Sequence, residues 1–373
     1  MKAILKDIAN RLQGHGLPPA CYTKSKFLRL ETRKLFRSEW HCLGREDEVP
    51  EVGDYFTIDL ISEPLLVVRE SKEIVSVLSN VCRHRGMPVA SGSGNTKRFL
   101  CPYHAWNYKL SGELRNAPLV AKESIAKNCR LPLLKTHCWQ GFIFASLDAH
   151  AIWPEDHETN TLMPLEKHLS NYHMSKMHHA VSFVETWECN WKSLVENFMD
   201  GYHLSVVHPQ TLHHLTPTRL CKKISGTAAF TAYTANYANS APPRNNHHPD
   251  LSFEQVKQSQ LFCIFPSLIV SVSADTLVYF ALHPVSVGQV SVKWGVCTYE
   301  SDLGKNELAA RVEKWKKINA EDHDILKRLQ VGLRSKNSVA GPLAADDFEG
   351  TLHDFHAYLV NKLGVVANDP QHL

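Results

Sequence analysis

What the 373-residue chain lacks narrows its class first. No apolar run approaches the roughly 20 residues that span a bilayer. The first twelve residues alternate charged with apolar side chains, where an export signal needs an unbroken apolar core. They read as an amphipathic helix, and the chain is expected in the cytoplasm without membrane association. Charge of one sign is also missing: the net charge is +3 with His neutral, and no basic stripe is visible, so nucleic acid is not an expected partner. The ten cysteines show no paired spacing of a disulfide framework. Most of Cys21, Cys42, Cys129, Cys138, Cys189, Cys221, Cys263 and Cys297 read as small buried hydrophobes. No dinucleotide fingerprint is present, because Gly92-Ser-Gly-Asn95 neither follows the right strand nor opens a helix. Internal repeats and low-complexity tracts are absent too.

What remains is a globular composition, 43% hydrophobic and 21% charged, in a chain long enough for two cores. The spacing predicts a helical segment over 1–39, with Phe27, Leu28, Leu30, Leu35 and Phe36 supplying apolar contacts. Residues 40–155 change to short strands (55–61, 65–68, 74–78, 98–100 and 140–146) separated by turn signals such as Gly53-Asp54 and Ser111-Gly112. That pattern predicts a small all-β domain. Residues 156–373 then offer strands at 180–187, 226–234, 261–266, 268–272, 277–282 and 290–299, joined mostly by short turns, which predicts an antiparallel sheet. A helix starts after Asn190, a good N-cap; two more are expected near 305–333 and 348–363. Residues 236–249 form a long polar loop. The whole reads as α+β, with helices packed against an antiparallel sheet.

Two loops of the β-rich region stand out. Cys82-Arg-His84 is followed, after sixteen residues, by Cys101-Pro-Tyr-His104. One Cys and one His from each of two loops is the ligand set of a Rieske [2Fe–2S] centre, in which two thiolates hold one iron and two imidazoles the other. Zinc also takes Cys₂His₂ sets, but zinc fingers usually keep two Cys in one turn and two His on a helix. Here each loop carries one of each and follows a strand-like run.

A second constellation lies further on. In the segment after Asn190, Trp191, Leu194, Val195, Phe198 and Tyr202 share one face as core, while Glu196, Asp200 and His203 lie opposite. A plain solvated face is the alternative for that polar set. His203 and His208 are five apart, so a continuous helix would not aim both at one ion. Pro209 disfavours helical geometry at His208 and frees it to swing back. Near the C-terminus, Leu308, Val312, Trp315, Asn319, Asp322, Leu326 and Leu329 form a stripe expected to face the core. Asp322 sits there in place of an apolar side chain; a salt bridge or a bound cation would each offset its burial. Asp324, Asp346 and Asp347 lie off the stripe. His203, His208 and Asp322 together would make a two-His-one-carboxylate triad of the kind that binds Fe(II).

With these residues in view, the chain resembles the catalytic α-subunits of the Rieske non-haem iron oxygenases, the ring-hydroxylating oxygenase superfamily. The markers are Cys82-x-His84, Cys101-x-x-His104, Asn190-Trp-Lys192, Glu196-Asn197, Asp200-x-Tyr202-His203-x₄-His208 and Glu321-Asp322 followed by Leu329-Gln-Val-Gly-Leu333. The resemblance implies a homotrimer, or a multiple of one, with the cluster of one subunit beside the mononuclear iron of its neighbour. It implies that Asp200 bridges the two centres through His203 and the neighbour's His104. Asn197 and Phe198 are expected to border the reaction pocket, with a pure packing role the equal alternative for Phe198. The resemblance further implies O₂ as co-substrate and NAD(P)H electrons delivered by a separate flavin and iron–sulfur reductase or ferredoxin. Similarity to the shorter choline- and betaine-type members points to hydroxylation or N-demethylation of a small polar or quaternary-ammonium compound. The alternative is hydroxylation or dihydroxylation of an aromatic compound or aromatic acid. A bare electron carrier is disfavoured, since some 200 residues with a second ligand set follow the Rieske-like region.

Overall fold

The structure is a computed structural model that describes residue 8 and residues 14–241, 247–301 and 303–364. The amphipathic helix expected over 1–12 therefore lies outside the described residues except at Ile8, as do residues 242–246 of the polar loop. The chain divides into two compact units, residues 37–151 and residues 1–36 with 152–373.

The smaller unit is all-β apart from short 3-10 turns. Among its described residues, a sheet of Val75–Ser79, Glu63–Arg69, Asp54–Leu60 and Ser93–Asn95 runs antiparallel throughout. A second sheet joins Trp40–Arg45, Phe142–Ser146 and Lys135–Trp139. The third is small: Phe99–Leu100, Asn107–Tyr108 and Leu114–Asn116. Trp40–Arg45 was not expected from sequence. Every one of its residues is buried, so the alternation that marks a half-exposed strand is missing.

The larger unit is built on a seven-stranded antiparallel sheet in the order His178–Trp187, Gln289–Thr298, Leu277–Ser286, Leu268–Val272, Gln258–Ile264, Phe230–Asn236, Cys221–Ile224. The helices Trp191–Met199, Lys305–Gly332 and Asp346–Leu363 accompany it. The fold is α+β, with antiparallel sheets in both units. Asn190 caps the first helix, its side chain accepting from Lys192 N at 3.1 Å.

That helix is shorter than the sequence suggested. It stops at Met199, and Tyr202, expected in the core, is 57% exposed. Gly201 explains the break. A Cβ at that position would lie 2.7 Å from the Cys221 side chain, and the Gly201 amide donates to Phe348 O rather than up the helix. Leu329, at the end of the expected stripe, is 44% exposed, whereas Ile318, Asn319, Asp322, Leu326 and Gln330 are buried.

The N-terminal segment forms helical turns at Ala20–Thr23 and Ser25–Glu31, then a π-helical turn at Thr32–Phe36. Its Glu31 makes a fully buried ion pair with Lys192, Oε1 to Nζ 2.7 Å, with both side chains at 0% exposure. Rings of Tyr22, Phe27 and Trp191 surround the ammonium. Removing one partner leaves the other charge buried and uncompensated. Lys192→Met is expected to lower stability by about 3–5 kcal/mol, with most of it recovered in the Glu31→Met/Lys192→Met double variant. Denaturant unfolding followed by tryptophan fluorescence would check this.

Candidate metal centres

In the smaller unit, the two Cys/His loops share one hydrogen-bond pattern although their ligand spacings differ. Cys82 N donates to Met87 O, and Gly86 N to Cys82 O. Cys101 N donates to Trp106 O, and Ala105 N to Cys101 O, in the same offsets. The residue four after each Cys has positive φ, Gly86 at 77° and Ala105 at 56°. Each loop thus turns back on its own cysteine and carries a histidine at its tip.

Cys82 and Cys101 are each 2% exposed within a core of Leu66, Val68, Leu78, Phe99, Trp106 and Tyr108. Burial raises the Cys82 thiol above its ordinary pKa, partly opposed by the Tyr108 hydroxyl at 3.2 Å. His84 and His104 are instead exposed, ring centroids 4.7 Å apart, and His84 stacks on Trp106. Local desolvation, His84 and Arg85 lower the His104 pKa, which favours the neutral imidazole that metals require. A dinuclear cluster, wider than one ion, suits a buried thiol pair with an outer imidazole pair.

In the larger unit, His203, His208 and Asp322 bring their ligand atoms within 4.8 Å of one another. Their separations are 3.3 Å between the two Nε2 atoms, 3.1 Å from His208 Nε2 to Asp322 Oδ1 and 3.6 Å from His203 Nε2 to the same oxygen. Three donors about 2.1 Å from one ion, at 90–109°, stand roughly 2.9–3.4 Å apart. Two of the three separations fall within that range, and the third lies about 0.2 Å beyond it.

Local sequence explains the convergence. After Gly201 breaks the helix, Leu204–Val207 makes one turn, and His208, before Pro209, leaves helical geometry at φ −114°, ψ 51°. Asp322 comes from the Lys305–Gly332 helix and is 2% exposed.

Carboxylates fix both rings from behind. Asp200 Oδ1 accepts from His203 Nδ1 at 2.7 Å and from His203 N at 2.9 Å. Glu321 Oε2 lies 2.7 Å from His208 Nδ1 and accepts from Thr211 Oγ1 at 2.6 Å. With Nδ1 donating, each Nε2 turns its lone pair inward. With no cation in place, burial lowers the His203 pKa but Asp200 and Asp322 outweigh it and carry it up to about 9, so a metal ion must displace a proton from Nε2 to bind there.

Asn197 donates to Asp322 Oδ1 at 2.9 Å. Phe198 packs on Phe280, ring centroids 4.4 Å apart. Glu196 is no solvated side chain: it accepts from Tyr22 Oη at 2.7 Å and lies 2.8 Å from His356 Nε2. Asp324 is exposed, while Asp346 and Asp347 pair with Lys223 and Lys222. Sequence reasoning assigned no role to Glu321, although the marker Glu321-Asp322 contained it. Its signal was a second carboxylate next to the first on a helix turn. Glu321→Gln is expected to weaken iron retention about 10- to 100-fold, measured as iron per chain after dialysis against a chelator.

A cavity of about 100 Å³ adjoins this cluster, lined by Tyr233, Tyr237, Trp315, Leu204 and Ile318 among others. Leu204 follows His203 directly, and Tyr233 is close enough to Asp200 and Asp322 that, after burial and Cys221, they help raise its hydroxyl pKa. The buried Tyr233 hydroxyl has no protein partner among the described residues. Arg311 and Lys314 also line the cavity; Arg311 is held by Asp275, Thr276 and Glu307. Neither Asn197 nor Phe198 lines this cavity.

Residues 39–137 match the Rieske [2Fe-2S] domain, and residues 179–364 match the catalytic domain of ring-hydroxylating α-subunits. The chain is 32% identical over 217 residues to the glycine betaine monooxygenase oxygenase subunit of Chromohalobacter salexigens, covering 56% of this chain and 47% of that one. It is 34% identical over 197 residues to the carnitine monooxygenase oxygenase subunit of Acinetobacter baumannii, covering 52% of each. The matches thus span about half the length of these two relatives. In fold, it superposes on a quaternary ammonium Rieske monooxygenase, CntA, solved with L-carnitine, at a TM-score of 0.80 and 22% identity, covering 96% of this chain and 98% of that one.

Proposed function

Because the chain belongs to the Rieske non-haem iron oxygenases, whose two characteristic domains it carries in order, we propose that it is the terminal oxygenase component of a multicomponent enzyme. Its substrate is a small quaternary-ammonium compound bearing a carboxylate, and its reaction is hydroxylation that ends in N-demethylation. One oxygen atom of O₂ enters a C–H bond, the other leaves as water, and NAD(P)H supplies two electrons through a separate reductase. We place the protein in the cytoplasm as a homotrimer.

When bound, the cluster supplies one-electron transfer and the ferrous ion supplies O₂ activation. Cys82, His84, Cys101 and His104 are the residues assigned to the cluster, and His203, His208 and Asp322 those assigned to the iron. Three side chains then position the iron ligands: Asp200 holds His203, Glu321 holds His208, and Asn197 holds Asp322. Both of Asp200's bonds use Oδ1, which suits the other oxygen to receive a donor from a neighbouring subunit's His104.

The lining of the cavity carries the substrate reading. Tyr233, Tyr237 and Trp315 line the cavity, and aromatic side chains there suit a cation. Arg311, which already pairs with Asp275 and Glu307, and Lys314 line the same cavity and suit a ligand that also carries a carboxylate. The orphaned Tyr233 hydroxyl fits a polar ligand group. Relatives named for glycine betaine and carnitine have that combination of groups in their named substrates. The aromatic alternative is the weaker reading.

With a surrogate reductase, betaine- or carnitine-type compounds are expected to drive NADH oxidation with matching release of formaldehyde. Formation of a phenol or cis-diol from an arene, with no formaldehyde from any quaternary amine, would overturn the substrate class.

A further inference from the structure

Among the described residues, the larger unit holds a second group with its ligand atoms within 4.8 Å of one another: His173, His248 and Asp250. We propose that these residues form an accessory site for a divalent d-block ion of the zinc type, separate from the iron site. It requires nothing of the reading above.

Both imidazoles present a nitrogen to the same carboxylate oxygen. His173 Nε2 lies 2.6 Å from Asp250 Oδ2, and His248 Nδ1 lies 3.7 Å from it. The two ring centroids are 4.1 Å apart. Tetrahedral ligands about 2.0–2.1 Å from an ion stand roughly 3.3 Å apart, a value these two separations bracket. Small shifts on an exposed loop reach it. His248 Nδ1 accepts from the Asp250 amide at 3.3 Å, so it carries a lone pair rather than a proton. A simple ion pair would need only one of the two imidazoles, and an ion would take over the His248 Nδ1 lone pair from the Asp250 amide.

The site is built on a fixed support. His173 sits at φ 41°, ψ 50°, a left-handed conformation uncommon for a residue with a side chain. The turn carrying it is held by three hydrogen bonds, two of them to Gln255. Asn171 donates to Gln255 Oε1 at 3.0 Å, Tyr172 Oη donates to Gln255 O at 3.3 Å, and Tyr299 Oη donates to Tyr172 O. His248 faces the Tyr299 ring, centroids 5.6 Å apart. Such restraint of the ligand-bearing backbone is what a metal site needs.

The position gives the ion a consequence. His247, His248 and Pro249 line an outer cavity of about 370 Å³ together with Tyr299 and Arg311. Arg311 also lines the inner cavity beside the iron ligands. A bound ion would tie the 247–250 loop to the His173 turn and fix one wall of that outer cavity.

The test is equilibrium dialysis of ⁶⁵Zn²⁺ against the iron-loaded enzyme, with iron measured in the same samples. Saturable zinc uptake without iron loss is expected, and His248→Ala and Asp250→Asn should each weaken it by about 10-fold or more. Amide hydrogen exchange over 247–250 should slow with zinc in the wild type and not in the variants. No saturable uptake, uptake matched by loss of iron, or unchanged affinity in both variants would overturn the site.

Discussion

Asp200→Asn is expected to leave both metal centres loaded and to cut turnover by about 100-fold. The substitution is nearly isosteric. The amide oxygen of Asn can still accept from the His203 amide and from Nδ1, now at 2.9 and 2.7 Å. The imidazole therefore keeps its orientation and its inward lone pair. What disappears is the negative charge and the second carboxylate oxygen, which the proposed inter-subunit route requires. Iron content and the cluster's spectrum should match the wild type, while steady-state turnover collapses. Turnover at the full rate would refute the bridging role. Loss of mononuclear iron would mean that Asp200 serves mainly to hold the ligand.

A larger effect is expected from Cys82→Ser. The thiol is 2% exposed in an apolar core, and burial holds it in its neutral form until a cation is bound. A serine hydroxyl in the same place loses its proton far less readily and is a hard oxygen donor where a soft thiolate is needed. The variant should lose visible absorption and the cluster's EPR signal, fall from about three to about one iron per chain, and have no reductase-driven turnover. Tyr108, 3.2 Å from the sulfur and bonded to Arg83 N, packs in the same core, so folding of the smaller unit should be checked by its melting transition.

The parts of the site legible in the sequence were those set by local chemistry. Each Cys/His loop is a self-contained turn, so its residues are adjacent in the chain. Pro209 acts on the residue just before it, and His208 does leave the helix there. Asp322 was visible because a charge on an otherwise apolar stripe is anomalous, and the stripe holds at Asn319, Asp322 and Leu326. What stayed hidden depends on partners distant in sequence. Glu321 binds a histidine 113 positions away, and Tyr22 reaches Glu196 across 174. The early end of the Trp191–Met199 helix depends on Cys221, which crowds Gly201 from another strand. Trp40–Arg45 escaped because a strand buried throughout has no alternating pattern to read.

Iron, zinc and acid-labile sulfide measured together on anaerobically purified protein test the central claim most directly. The account predicts about three iron atoms and about two labile sulfides per chain, with an EPR signal that appears when the cluster is reduced. Colourless protein carrying zinc and no labile sulfide, even after reconstitution, would contradict it.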